Sequence, residues 1–310
     1  MKAILNKAKI GTQPGGRPPA AVEVSPEGAL AAALPSAGHL PAYAFQPLAA
    51  GALVPGIGEP NLRAPEAVSA AIRSALDQVS PRTRSVTLVI PDTVVRVFVL
   101  DFDSLPAKPA EAIPVLRFRL RKMVPFEVEH AGLSYQVLVE NKNECKVLAA
   151  VLPGPILAEY EGAVRAAGYE PGAVLPSSLA ALEAIDAMEA VLIANLSPVS
   201  LTTSITNGQD LLLYRTLDLP VEPALRLDEV RRGVAVAAAY YEDKLGAPPV
   251  LLHFAGSMGI GDDGANGFAR WIDAPEGSVV DLAPRPGIGA TTALGNASIA
   301  GVAGALAGVR

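Results

Sequence analysis

One order of local patterns occurs twice in this chain, and no other feature limits its fold as much. Residues 20–25 and 28–34 read as short strands around the turn Ser25-Pro26-Glu27-Gly28, a composition that reverses a chain. Far downstream, residues 191–195, 199–206 and 210–217 read as three strands, with Asn207-Gly208 as a hairpin turn of the favoured kind. Each opening leads into helices and further short strands. In the second half, strand 250–254 runs into Ala255-Gly256-Ser257-Met258-Gly259 ahead of a helix at 264–272. Such a chain is α/β, with two lobes that each hold a mixed sheet and helices.

The first half carries extra elements. Residues 35–63 are loop-rich. A helix at 64–79 starts on Pro65 and presents Val68, Ile72, Ala75, Leu76 and Val79 on one face. Strands are expected at 85–90 and 93–100. A helix at 110–124 has the stripe Ile113, Leu116, Leu120, Met123 and Val124, with Arg117, Arg119, Arg121 and Lys122 over the rest. Pro114 then belongs in its first turn, where a missing N–H costs nothing. Strands 133–140 and 146–152 form a hairpin. A helix at 156–167 stops at Gly168, and a strand near 172–175 precedes a helix at 177–188. The second half continues with a long helix at 227–245, a strand at 279–282 and a final helix at 297–309. The expected division is a basic arm at 1–19, lobe I at 20–187 with an inserted subdomain at 82–170, and lobe II at 188–310. The last helix is expected to return to lobe I.

Composition excludes several functions. Half of the 310 residues are hydrophobic and 18% are charged, enough apolar material for a sizeable core rather than wholesale disorder. The net charge of −6 supplies no overall basic surface for nucleic acid. A single cysteine, Cys145, rules out an internal disulfide framework and a Cys-based zinc site; it reads as a partly buried strand thiol. His39, His130 and His253 share no metal-ligand spacing. The apolar stretch 28–58 is interrupted by Pro35, Pro41, Pro47 and Pro55. Residues 287–309 are uncharged but rich in Gly, Ala, Thr and Ser, and the N-terminus is too polar after Leu5 for a secretory segment. A soluble cytoplasmic protein is expected. Lys2, Lys7, Lys9 and Arg17 make the N-terminal arm basic, suited to weak contact with anionic lipid.

The duplicated order resembles the actin-like ATPase fold, in which two hairpin turns grip phosphates across a cleft and a Gly-rich turn holds the adenosine. The middle of the chain is more specific. The run Met123-Val124-Pro125-Phe126-Glu127-Val128-Glu129-His130, followed by Leu133-Ser134-Tyr135-Gln136-Val137-Leu138, closely resembles the signature of PilM, the actin-like protein of type IV pilus assembly. Gly168-Tyr169-Glu170-Pro171, the helix from Glu229-Val230-Arg231-Arg232 to Ala239-Tyr240-Tyr241-Glu242, and the ending from Ala300-Gly301 to Gly308-Val309-Arg310 resemble further PilM blocks in the family order. The resemblance covers residues 20–310. It implies a cytoplasmic protein at the inner face of the inner membrane, which binds the N-terminal tail of the membrane protein PilN in a groove between subdomains.

Departures from that pattern fall on the nucleotide turns. The first turn offers Glu23 and Ser25, the second Asn195 and Ser197, and the adenosine turn Gly256 and Ser257. Phosphate turns need glycine so that backbone N–H groups approach the anion, and Mg²⁺ needs carboxylate or water oxygens. Val24 is bulky, Pro26 lacks an N–H, and Asn195 is neutral. The expectation is therefore a scaffold with no catalytic residue, no metal site and no ATP hydrolysis, with weak nucleotide binding through the serines left open. An active actin-like ATPase is one alternative. Another is the cytoplasmic module of a GspL-like type II secretion protein, which would continue into a transmembrane helix that this chain is not expected to carry. Asp92, Asp101, Asp103, Asp262 and Asp263 read as turn, strand-end and helix-cap residues. The tail is expected to dock beside the insert, on Arg96, Phe98, Arg117, Arg121 and Phe126, with the Arg96 and Phe98 face of its strand turned away from the helix.

Overall fold

The computed structural model describes residues 17–34, 41–141, 144–185, 188–208, 210–256, 264–283 and 298–309. Two five-stranded sheets share one topology. The first contains β1 (Ala20–Ser25), β2 (Gly28–Ala33), β3 (Ala42–Pro47), β4 (Ser85–Ile90) and β8 (Glu170–Pro176), in the order β3-β2-β1-β4-β8. The second contains β9 (Ala190–Leu196), β10 (Ser200–Asn207), β11 (Asp210–Asp218), β12 (Leu252–Gly256) and β13 (Val279–Asp281), in the order β11-β10-β9-β12-β13. In each, the three strands of the meander run antiparallel and the last two pair parallel. The repeated sequence pattern is thus a repeated sheet.

Alanine explains how the first sheet is covered on both faces. Strand β2 reads GALAAA and is buried throughout. Ala29, Ala31 and Ala33 face the core under helix α1 (Pro65–Val79), with Val68, Ile72 and Leu76. Leu30 and Ala32 face the opposite core, with Ile299, Val302, Ala305 and Leu306 from the C-terminal helix α7 (Ala300–Ala307). A strand between two helical layers must be apolar at every position, and small side chains let both layers approach. The last helix of the chain therefore lies on the first sheet. The second sheet packs one face against α5 (Pro223–Leu245) and α6 (Ala265–Trp271).

A third, antiparallel sheet of β5 (Arg96–Phe102), β7 (Cys145–Leu152) and β6 (Gly132–Glu140), ordered β5-β7-β6, is spliced in after β4. Strands β6 and β7 pair antiparallel, as the hairpin reading requires, and Cys145 is buried within β7. The insert is narrower than the expected 82–170. Strand β4, helix α3 (Gly154–Ala166) and β8 all belong to the first sheet and its core, because β4 pairs with β1 on one side and β8 on the other. A 3₁₀ turn at Asp92–Val94 replaces the start of the expected strand at 93–100.

Helix α2 (Pro109–Leu120) covers one face of the third sheet. Its buried stripe is Ala112, Leu116 and Leu120, continued by Val124, whereas Met123 is exposed. The helix ends at Leu120, three residues before Met123, so the expected stripe loses its register there. Pro114 lies in the second turn, not the first; it leaves the exposed Ala110 carbonyl to water. Strand β3 was not expected within the loop-rich 35–63. The expected helix 177–188 is α4 (Ser177–Leu182), which ends at Leu182. Among the described residues no helix is long and apolar enough to cross a membrane.

Candidate functional site

The two duplicated hairpins face each other across a cleft. Glu23 and Ser25 come from β1 and its turn, Asn195 and Ser197 from β9 and its turn, and Gly256 from the end of β12; these five line one small cavity with Ser177 and Gly301. Ser257, Asp262 and Asp263 lie outside the described residues.

Both turns are closed by their own serines. Glu27 N–H donates to Ser25 Oγ at 3.3 Å, and Pro26 has no N–H. Val199 and Ser200 N–H donate to Ser197 Oγ at 3.3 and 2.9 Å. The backbone amides that would meet a phosphate are thereby occupied within each turn. The Phe45 ring lies against Gly28, 2.6 Å from where a Cβ would stand. Gly256 has φ +112°, and a Cβ there would collide with the Leu196 carbonyl, so this glycine permits the close approach of β12 to β9. The remaining cavity is about 70 Å³.

Beneath it runs a polar chain joining the lobes. Ser177 Oγ donates to Glu23 Oε1 at 2.5 Å. Asn195 Nδ2 donates to Ser178 Oγ at 2.9 Å. Ser178 donates to Asp92 through its N–H at 3.0 Å and its hydroxyl at 2.5 Å. Thr202 Oγ1 and Tyr214 Oη, both from the second sheet, each donate to Asp92 at 3.2 Å. Asp92 thus accepts four hydrogen bonds, two of them from the other lobe. Burial raises the Asp92 carboxyl above its usual range, against the pull of those donors. Burial also raises Glu23, to about 7; Ser177 opposes the rise, and Asp92 and Glu27 add to it. Among the described residues Glu23 Oε2, which is buried, has no hydrogen-bond partner; it abuts Gly301, where a Cβ would collide with it. No group of three His, Cys, Asp or Glu among the described residues is arranged to hold a metal.

Glu23, Ser25, Asn195, Ser197 and Gly256, singled out in the sequence, line one cavity, but nothing in the sequence pointed to this clasp. Asp92 read as a turn residue, and Ser178, Thr202 and Tyr214 stood out in no way. They are 86, 110 and 122 positions away from it, and no local pattern links them.

The expected docking residues are not brought together as one groove. Phe98 and Phe126 pack against the α2 core with Leu100, Leu116 and Val147. The Phe98 face of β5 is therefore the one that α2 covers, and Val97 and Val99 turn instead toward α4 and the second sheet. This reverses the expected orientation of the strand. Arg96 lies at the lobe boundary, bonded to the Thr93 carbonyl at 3.0 Å and 3.6 Å from Asp218. Arg117 donates to the Ala131 carbonyl at 3.1 Å, and Arg121 pairs with Glu129.

Comparison with known proteins fits this geometry. No family model and no curated protein matches the chain. Among solved structures, that of a "PilM-PilN type IV pilus biogenesis complex" aligns over 94% of this chain and 98% of the other, with 17% identity and a TM-score of 0.71. The cytoplasmic domain of EpsL, an inner-membrane component of the type II secretion system of Vibrio cholerae, aligns over 76% of this chain and 81% of its own, with 13% identity and a TM-score of 0.48. The fold is the two-lobed, actin-like ATPase fold of PilM.

Proposed function

We propose that this chain is a scaffold of a type IV pilus inner-membrane assembly complex. It works at the cytoplasmic face, binds the N-terminal tail of a PilN-like membrane protein, and hydrolyses no ATP. The observation that carries the partner is the near end-to-end match to the fold of PilM in a PilM–PilN complex.

The cleft supports the absence of hydrolysis. Pockets for small ligands hold roughly 300–1,000 Å³, against about 70 Å³ here. Transfer of a phosphoryl group needs aimed amides, a magnesium ion and a placed water. The turn amides are taken, and the Glu23 carboxyl in the cleft is tied to Ser177 and favours its protonated form up to about pH 7. These residues do not fit a magnesium triphosphate. The Asp92 clasp supplies what a nucleotide supplies in such a fold, a bridge between lobes, so the scaffold is held closed by its own side chains.

Isothermal titration tests the binding of tail and nucleotide, and a phosphate-release assay tests hydrolysis. ATP with Mg²⁺ is expected to give no binding heat, and the tail peptide of the PilN-like protein from the same organism is expected to bind. Of the expected docking residues, Arg121 is exposed and can be altered without opening the core. Arg121→Glu is expected to weaken the tail by more than about 1 kcal/mol if it is a central contact. A tail that binds neither the wild type nor the variant overturns the partner reading, and phosphate release above background overturns the other.

A further inference from the structure

The outward face of α2 carries a feature that the pilus reading does not use. Phe118 is 75% exposed, and Val115, one turn before it on the helix, is 37% exposed. On a helix, Phe118 stands opposite the buried stripe of Ala112, Leu116 and Leu120, and α2 is the outermost layer over the third sheet. A phenyl ring on a convex, solvent-facing surface contributes nothing to the core and costs solubility. Its stretch of chain is basic: from Ala112 to Phe126 it holds Arg117, Arg119, Arg121 and Lys122 and no acidic residue.

Those cations differ in availability. Arg117 turns in to the Ala131 carbonyl, and Arg121 pairs with Glu129. Arg119 shares a shallow depression with Asp101, Asp103, Glu144 and Lys146, and Lys146 is 2.5 Å from Glu144. Glu111, at the start of the helix, is 3.5 Å from Lys108, and Glu127 is 3.4 Å from His130. Among the described residues neither Arg119 nor Lys122 forms an ion pair; Arg119 follows Phe118 directly in the chain, and Lys122 comes four residues after it.

We propose that this face docks on an anionic lipid bilayer, with Phe118 and Val115 entering the interface and Lys122 and Arg119 meeting the headgroups. An aromatic ring in a basic stretch of chain matches the two layers of a bilayer surface, apolar below and anionic above. A bilayer also needs no complementary pocket for a ring that projects from a ridge. So small an apolar anchor gives weak, reversible binding that depends on charge. The docking stands apart from tail binding and survives its failure.

The test is co-sedimentation of the full chain with vesicles of phosphatidylcholine, alone or mixed with phosphatidylglycerol. Binding is expected only to the anionic vesicles and is lost in high salt. Lys122→Ala and Arg119→Ala each lower partition about fivefold, and Phe118→Ser, which leaves the core untouched, lowers it at least as much. In Phe118→Trp, anionic vesicles shift the emission to the blue. Failure of the wild type to sediment with anionic vesicles overturns the proposal. So does undiminished binding by Phe118→Ser, equal binding to neutral vesicles, or binding of an acidic peptide to this face without any vesicle binding.

Discussion

Two buried carboxyl groups set the behaviour of the cleft residue by residue. For Glu23 the folded value of about 7 lies above the ordinary 4.5, so the folded chain holds the proton more tightly than the unfolded one. Its contribution is full below about pH 4.5 and is lost as pH rises toward and through 7, a span worth about 3 kcal/mol. Glu23→Gln is expected to flatten the decline of the thermal midpoint between pH 5 and 8 and to raise the midpoint at pH 8. An unchanged pH profile would mean that Glu23 does not hold its proton in the fold. Asp92 behaves differently, because four donors converge on it. Asp92→Ala leaves Ser178, Thr202 and Tyr214 without their shared acceptor and should cost about 2–5 kcal/mol in denaturant unfolding. A loss below about 1 kcal/mol would show that water replaces the carboxylate easily.

Among the elements, α2 is the one whose sequence conflicts with its structure. Pro114 sits in its second turn and is exposed, where proline removes a helical hydrogen bond at a cost of up to about 3 kcal/mol. Pro114→Ala restores an N–H for the Ala110 carbonyl and is expected to stabilise the chain by about 1–3 kcal/mol; destabilisation would mean that the kink is needed to seat Leu116 and Leu120. The helix holds despite Pro114 because its buried stripe packs on β5, β6 and β7, and packing outweighs propensity. Strand β5 teaches a related lesson. Its alternation of Val97 and Val99 against Phe98 and Leu100 was plain in the sequence. Both faces are apolar enough to be covered, so alternation alone could not say which one α2 would take.

At the scale of the whole molecule, the lobes share a core as well as the clasp. Leu148 of the third sheet, Leu179 and Leu182 of α4, and Ile193 and Tyr214 of the second sheet form one buried cluster. The chain is therefore expected to unfold in a single transition. Fluorescence of Trp271, the only tryptophan and part of the second lobe, should coincide with loss of far-ultraviolet ellipticity; two separated midpoints would show lobes that fold apart. What the sequence determined by itself was everything local or repeated: two hairpin openings and the antiparallel pair β6 and β7. Periodicity and turn chemistry act over a few residues, so they are legible in order along the chain. Tertiary structure alone decided where the inserted sheet ends, which face of β5 meets α2, and that Asp92 binds the lobes together. Each of these depends on which surfaces meet across many tens of residues, and the free energy of that meeting is written in no single stretch of the chain.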